Sequence, residues 1–366
     1  MNTILITTMT ITSITGILAF LLTLADRTIN NYGKIKIIIN DEKEYIVDGG
    51  SSLLSSLIEH QIFIPSACGG KGTCGYCKVK VLEGGGPVLP TEMPFLTQDE
   101  LKQNMRLSCQ CKVKRDLKIQ IPEELFNVRE YEAIVESIED MTPVIKKIRL
   151  RLKEEHEINF KPGQYIQLKA PKYEGNDEEV YRAYSIASPP SQKNYIDLII
   201  GYVPNGKATT YVHKILKEGD KVYFNGPYGD FYFQENSDRE IVMVAVGTGM
   251  APILSMLYHL KENNIKRKAT FYFGAKTPDD LFLLDEMKNF EETLFDFKFI
   301  PTLSRVAEEH NWAGEKGRVN NALEKYLTDG ENKEAYLCGN PPMIDTVVSV
   351  LKQKGIPEEL IFFDKF

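Results

Sequence analysis

Residues 68–77 read Cys68-Gly69-Gly70-Lys71-Gly72-Thr73-Cys74-Gly75-Tyr76-Cys77, and a fourth cysteine, Cys109, follows after 31 intervening residues. The pattern C-x5-C-x2-C with a remote cysteine supplies the four thiolates that iron needs. The interleaved glycines let the backbone wrap closely and aim amide N–H groups at the sulfurs. It predicts a plant-type [2Fe-2S] cluster held by Cys68, Cys74, Cys77 and Cys109, in a loop one residue longer than C-x4-C-x2-C. The rival readings are a zinc site, which usually shows two short C-x2-C pairs, and two disulfides in a secreted chain. Cys111 complicates the fourth ligand: if Ser108–Cys111 is a strand, Cys109 and Cys111 share a face and spacing alone separates them.

On either side of this loop the patterns are those of a small α+β unit. Lys34–Asn40 and Tyr45–Val47 read as paired strands, and Ser52–His60 as a helix with Leu53, Leu54, Leu57 and Ile58 on one face. Tyr76–Leu82 and Leu117–Ile121 add strands, and Pro122 with the acids after it marks an exit, so the first folded domain spans 33–124. From Tyr131 the chain turns to short alternating strands such as Ile145–Leu152, broken by Pro-Gly and Pro-Asn-Gly turns. That predicts an antiparallel β-barrel over 129–235. After Asp238 the buried run Ile241–Val246 enters a glycine turn and a helix, and strands and helices then alternate, predicting a parallel α/β domain over 238–366.

Composition sets bounds on function. The chain has 366 residues, 43% hydrophobic and 26% charged, ordinary for two to three globular domains. A net charge of -7 with no Lys/Arg-dense stripe argues against a nucleic-acid partner. His60, His156, His213, His259 and His310 show no metal-ligand spacing and read as surface or packing residues. Residues 2–25 carry no charge, and Ile14–Leu24 is strongly apolar, so the segment is long enough to cross a bilayer as a helix despite its seven threonines. A signal peptide is the rival, but no positive charge precedes the run. Arg27, Lys34 and Lys36 follow it, which predicts a single-pass anchor in the cytoplasmic (inner) membrane with the C-terminal bulk in the cytoplasm.

Three further strings carry chemistry. Arg182-Ala183-Tyr184-Ser185 lies on a predicted strand, where Arg182 and Tyr184 share a side: an arginine can fork onto a pyrophosphate and an aromatic can cover an isoalloxazine ring. Gly206-Lys207-Ala208-Thr209-Thr210 offers small residues, hydroxyls and a helix start as a phosphate seat. Gly247-Thr248-Gly249-Met250-Ala251-Pro252 follows a strand and opens a helix, so its amides face a bound pyrophosphate, with proline where a dinucleotide fingerprint has its third glycine; an ordinary strand-to-helix turn is the plainer alternative. Cys338-Gly339-Asn340-Pro341-Pro342-Met343 again runs from strand to helix, placing Cys338 at a ligand-binding strand end unless it is an inert core cysteine, and Phe366 is an aromatic end suited either to stacking on a flavin or to fraying.

Together these strings resemble the ferredoxin-NADP reductase superfamily, in which R-x-Y-S stands on a flavin barrel and G-x-G-x-x-P and C-G-x-P-x-M turns stand on a nicotinamide domain. With the N-terminal helix, the ferredoxin-like segment and Gly84–Glu92, the whole chain resembles the family of F subunits of sodium-translocating NADH:quinone oxidoreductases. The resemblance implies a β-grasp [2Fe-2S] ferredoxin domain, an FAD barrel and an NAD domain. It further implies hydride transfer from NADH to FAD and single electrons passed through the cluster to hydrophobic membrane subunits. By carry-over Arg182, Ala183, Tyr184 and Ser185 hold the flavin, Gly206–Thr210 its phosphates, and Gly247, Thr248, Gly249 and Gly339 seat NADH. Ser185, Cys338 and Phe366 then lie at the reacting rings. Three departures stand out: only the short segment Pro171–Val180 precedes R-x-Y-S, Cys111 is an extra thiol, and Ser304-Arg305 is a pattern that can hold the 2′-phosphate of NADPH. A free-standing anchored reductase serving a soluble oxygenase or other acceptor protein is the second reading, and a scaffold or electron shuttle without hydride chemistry the third.

Overall fold

The computed structural model describes the backbone of residues 2–29, 32–126, 128–154, 156–306 and 312–366. The chain divides into two units, 1–129 and 130–366. In the first, helix α1 (Asn2–Ile29) precedes strands β1 (Lys34–Ile39) and β2 (Lys43–Asp48), helix α2 (Leu53–Glu59), strand β3 (Lys78–Glu83), helix α3 (Gln98–Lys102) and strands β4 (Met105–Leu107) and β5 (Leu117–Gln120). Alternation decides the face of β1: Ile35, Ile37 and Ile39 are buried, while Lys34 and Lys36 reach outward to Asp48 and Glu44. The five-stranded sheet runs β2-β1-β5-β3-β4, with β1 parallel to β5 and the β1–β2, β3–β4 and β3–β5 pairs antiparallel. Ser52 caps α2 by accepting from the Ser55 amide, and Leu53, Leu54 and Leu57 pack into the sheet's core. Ile58, expected on that face, is only partly buried.

The segment read as a membrane span is helical, extending past residue 25 to Ile29. Among the described residues no helix is long and apolar enough to cross a membrane, and the side chains described on α1 are those of Thr8–Leu21. Of these, Met9, Ile11, Ile14, Ile17, Leu18, Phe20 and Leu21 are exposed. Thr12 and Thr15 return their hydroxyls to the carbonyls of Thr8 and Ile11, at 2.8 and 2.9 Å.

The second unit opens with β6 (Arg129–Thr142), β7 (Ile145–Leu152), β8 (Tyr165–Ala170), β9 (Val180–Ser185), β10 (Tyr195–Gly201), helix α4 (Lys207–Thr210) and β11 (Lys221–Tyr228). These six strands order as β10-β7-β6-β11-β8-β9, and the Ile186–Leu198 bridge returns the last strand to the first, giving a barrel around Ile148, Leu150, Ile166, Leu198 and Phe224. Strand β6 is 14 residues long, longer than the short strands expected there, and two register shifts against β7 let it bend.

Then come β12 (Glu240–Val246), α5 (Met250–Glu262), β13 (Ala269–Ala275), α6 (Leu284–Thr293), β14 (Phe297–Leu303), β15 (Glu315–Lys316), α7 (Val319–Tyr326), β16 (Lys333–Gly339), α8 (Pro341–Gln353) and β17 (Ile361–Lys365). The sheet is parallel throughout, in the order β15-β14-β13-β12-β16-β17. α5 and α6 cover one face, α7 and α8 the other. The order reverses between β12 and β16, and ligands of open parallel sheets bind beyond the strand ends at such a switch point.

Candidate functional site

Within the first unit, Gly69, Gly70, Gly72 and Gly75 all take left-handed φ values between 63° and 86°, which only glycine adopts at little cost, and the loop coils around its cysteines. Cys74 donates to Cys68 with the sulfurs 3.4 Å apart, and Cys77 hydrogen-bonds Cys109. Cys74's thiol holds Cys68 at about 3, with the Thr73 and Cys74 amides assisting and burial opposing, while Cys74 is pushed up. Cys77 does the same to Cys109, held at about 7, where Gln110 and the Gly72 amide also contribute. Among the described residues no three His, Cys, Asp or Glu side chains converge as a single ion would require. Two thiol pairs suit a cluster of two irons, each taking two thiolates, better than one tetrahedral zinc. The amide N–H groups aimed at the sulfurs are the feature that a thiolate-bound cluster needs, so the residues present fit the group.

Cys111 does not share a face with Cys109. Strand β4 ends at Leu107, and a turn in which the Gln110 and Cys111 amides both donate to the Leu107 carbonyl rotates the two thiols apart. Cys111 is fully buried and donates to the Gly85 carbonyl at 3.7 Å, beside the ion pair of Arg106 and Glu92. That pair went unread in the sequence: Glu92 is 0% and Arg106 4% exposed, at 2.6 Å.

In the barrel, Arg182, Ala183, Tyr184 and Ser185 lie on β9, opposite Leu168, Gln167, Ile166 and Tyr165 of β8. Arg182 is steadied by donating to the Tyr181 carbonyl at 2.7 Å, and burial pushes the Tyr184 phenol well up. Gly206 caps α4, and the structure brings this turn to β9: Tyr173 donates to the Lys207 carbonyl, and Lys207 pairs with Glu178. Thr209 is occupied closing its own turn, bonded to the Val203 amide at 3.1 Å, which leaves Thr210 as the less buried hydroxyl. A Cβ on Gly206 would lie 2.6 Å from the Thr209 hydroxyl, so the amides of this cradle stand clear only with glycine. Arginine, aromatic and cradle together fit a flavin with its pyrophosphate. The short segment before β9 folds on itself through Asn176, which donates to the carbonyls of Pro171 and Glu178.

In the α/β domain, Gly247, Thr248 and Gly249 form the turn from β12 into α5, and Cys338 and Gly339 end β16 across the switch point. The two turns touch: a Cβ on Gly249 would lie 2.2 Å from the Cys338 carbonyl oxygen. Cys338 itself is fully buried, and desolvation raises its thiol well above the usual range. The Phe366 amide donates to the Gly339 carbonyl at 3.2 Å, so the backbone there is tied rather than frayed, with the ring 59% exposed. This open, amide-lined strand end fits a dinucleotide. Gly249→Ala is expected to force the turns apart and lower kcat/KM for NADH by roughly tenfold or more, with flavin and iron content unchanged; an unaltered kcat/KM would show that the turn does not seat the coenzyme.

Among the described residues, His60 packs on Tyr45, His156 on Tyr131, His213 bonds the Ile200 carbonyl and His259 faces Glu235, while His310 lies outside them.

Residues 37–114 match the 2Fe-2S iron-sulfur cluster binding domain, 132–233 the oxidoreductase FAD-binding domain and 243–349 the oxidoreductase NAD-binding domain. Among solved structures, the chain is 25% identical to the Amycolatopsis cytochrome P450 reductase GcoB, with a TM-score of 0.72 over 91% of this chain and 98% of that one. The ferredoxin reductase in carbazole 1,9a-dioxygenase is likewise 25% identical, with a TM-score of 0.70 over the same shares. The F subunit of the Na(+)-translocating NADH-quinone reductase of Neisseria meningitidis serogroup C is 36% identical over 97% of both chains, and that of Psychrobacter cryohalolentis 36% identical over 96% of both. The latter alignment runs to 396 positions against 366 residues here, so this chain lacks stretches that the relative carries. With its three domains in this order and this identity along nearly its whole length, the chain belongs to the family of Na(+)-translocating NADH-quinone reductase F subunits.

Proposed function

We propose that this chain is the membrane-anchored, NADH-oxidising input subunit of a sodium-translocating NADH:quinone reductase. The observation that carries the reading is the F-subunit match along 97% of both chains. Bound together, FAD and the [2Fe-2S] cluster supply the conversion of a two-electron hydride from NADH into single electrons for an acceptor. The protein contributes seats and orientation. Cys68, Cys74, Cys77 and Cys109 ligate iron. Arg182 would meet the flavin pyrophosphate, with Ala183 leaving room for it, Tyr184 would cover the ring, Ser185 would bond its edge, and Gly206–Thr210 would cradle the phosphates. Gly247, Thr248, Gly249 and Gly339 would seat NADH, with Cys338 by the nicotinamide and Phe366 covering the flavin ring.

Helix α1 anchors the chain in the cytoplasmic membrane, its bulk on the cytoplasmic side. Exposed apolar side chains and hydroxyls returned to helix carbonyls are what a lipid-facing helix requires. With no ionisable residue in 2–25 to carry Na+, the ion path belongs to hydrophobic partner subunits.

The 25% identity to two oxygenase-system reductases, each covered over 98% of its length, favours a second reading, an anchored reductase delivering to an oxygenase. Purification in mild detergent from native membranes decides. Hydrophobic co-purifying subunits with Na+-stimulated NADH:quinone turnover are expected. A lone active chain indifferent to Na+ would instead establish the second reading. The same preparation reports coenzyme choice: kcat/KM is expected to be higher with NADH than with NADPH, although Arg305 stands exposed after β14, its amide on the Lys276 carbonyl at 2.7 Å. A preference for NADPH would reverse that assignment.

A further inference from the structure

The Cys109 sulfur has a side-chain neighbour that the ligand set does not explain. Gln110 extends its amide Nε2 to within 3.7 Å of Cys109 Sγ, a hydrogen-bond distance for sulfur. The other end of the same carboxamide is fixed: the Thr91 hydroxyl donates to Gln110 Oε1 at 3.0 Å, which orients the N–H edge toward the sulfur. The space for it is made by Gly72. A Cβ there would lie 2.5 Å from Gln110 Nε2 and 2.9 Å from its Cδ. Three segments far apart in sequence thus converge on one N–H···S contact. The Gln110 backbone is held separately, through its amide on the Leu107 carbonyl at 2.9 Å, so the turn that presents Cys109 does not depend on the side chain.

We propose that Gln110 sets the reduction potential of the cluster by donating its carboxamide N–H to the Cys109 sulfur, with Thr91 as the residue that aims it. The step concerned is uptake of one electron, supplied by NADH through the flavin, with no proton transferred and no bond made or broken at the protein. The reduced cluster carries one more negative charge, which spreads onto its thiolate sulfurs. A donor aimed at one of them therefore favours the reduced form and raises the potential. The proposal rests on Cys109 being the fourth ligand.

The test is a redox titration of the full-length holoprotein, followed by the electron paramagnetic resonance signal of the reduced cluster. Gln110→Leu, which keeps bulk and removes the donor, is expected to weaken electron uptake by about tenfold, a downward shift of about 59 mV for a one-electron couple. Thr91→Val, which leaves the glutamine but frees its carboxamide, is expected to shift the potential in the same direction by less, with the unfolding midpoint unchanged. Should Gln110→Leu load no iron, Thr91→Val alone carries the measurement. A loaded variant at the wild-type potential overturns the proposal. Were Cys109→Ala to retain its cluster, the ligand reading itself would fail. An empty Cys109→Ala beside an unshifted Gln110→Leu would sink only the role of Gln110.

Discussion

Cys109→Ala is expected to abolish the visible iron-sulfur absorbance, while Cys111→Ala keeps it. Two thiols two residues apart are chemically equal, and the difference between them lies in what surrounds each. Cys109 faces Cys77 and receives N–H groups from Gly72 and Gln110, so a negative sulfur is solvated there. Cys111 is buried, its thiol raised by desolvation, with the Glu92 carboxylate opposing the help it has from Arg106. A thiolate there would meet carbonyl and carboxylate oxygens rather than amides. Removing Cys109 leaves one thiolate for the second iron and removes the cluster. Removing Cys111 leaves a small buried cavity, at a cost of about 1 kcal/mol in stability. Iron content and the visible spectrum of both variants decide, and the opposite pattern would move the fourth ligand to Cys111.

Arg106→Leu is expected to destabilise the first unit by about 3–5 kcal/mol, since it strands a buried carboxylate. Glu92 accepts from Arg106 Nε and Nη2 and from the amides of Leu89 and Leu107, and Arg106 Nη1 donates to the carbonyls of Gly85 and Gly86. Burial raises the Glu92 carboxyl, but these hydrogen bonds outweigh it and the group lies below its ordinary value. A depressed carboxyl contributes stability that is in full force above the unfolded value, about 4.3, and is lost as pH falls through the lower folded value. Wild type therefore loses stability on acidification below about pH 4, and Glu92→Gln flattens that part of the profile. Denaturant unfolding of the loaded protein between pH 3 and 7 checks both. A loss below 1 kcal/mol in Arg106→Leu would mean that the pair is solvated.

Much of the architecture was legible because period and punctuation agreed. Ile35, Ile37 and Ile39 announce β1, Ile145–Leu152 is β7 to the residue, and the strand-turn-helix at Gly247 stands as read. The cysteine loop was legible because ligand spacing is a local property. What stayed hidden depends on partners distant in sequence. The choice between Cys109 and Cys111 required knowing that β4 stops at Leu107. Glu92 and Arg106 look like surface charges until the fold buries them together, and Gly72 reads as a loop glycine until Gln110 occupies the space beside it. Lys207 and Thr209, read as part of the phosphate seat, also contact Glu178 and the Val203 amide, pairings that no strand or helix period encodes. The length of β6 was missed because its bends interrupt the alternation.

The clamp between Glu92 and Arg106 contains no thiol, so removing iron takes away none of its contacts. Oxygen dismantles exposed iron-sulfur centres, yet here the stretch carrying the remote ligand is pinned by charges that oxidants do not attack. A polypeptide stripped of its iron is then expected to retain protected amides through β3, β4 and β5 and to be refilled in place rather than handed to proteases. For a cell moving between anoxic and aerated surroundings, the lifetime of the enzyme and the lifetime of its metal become separate quantities, and repair costs sulfide and iron instead of new protein synthesis.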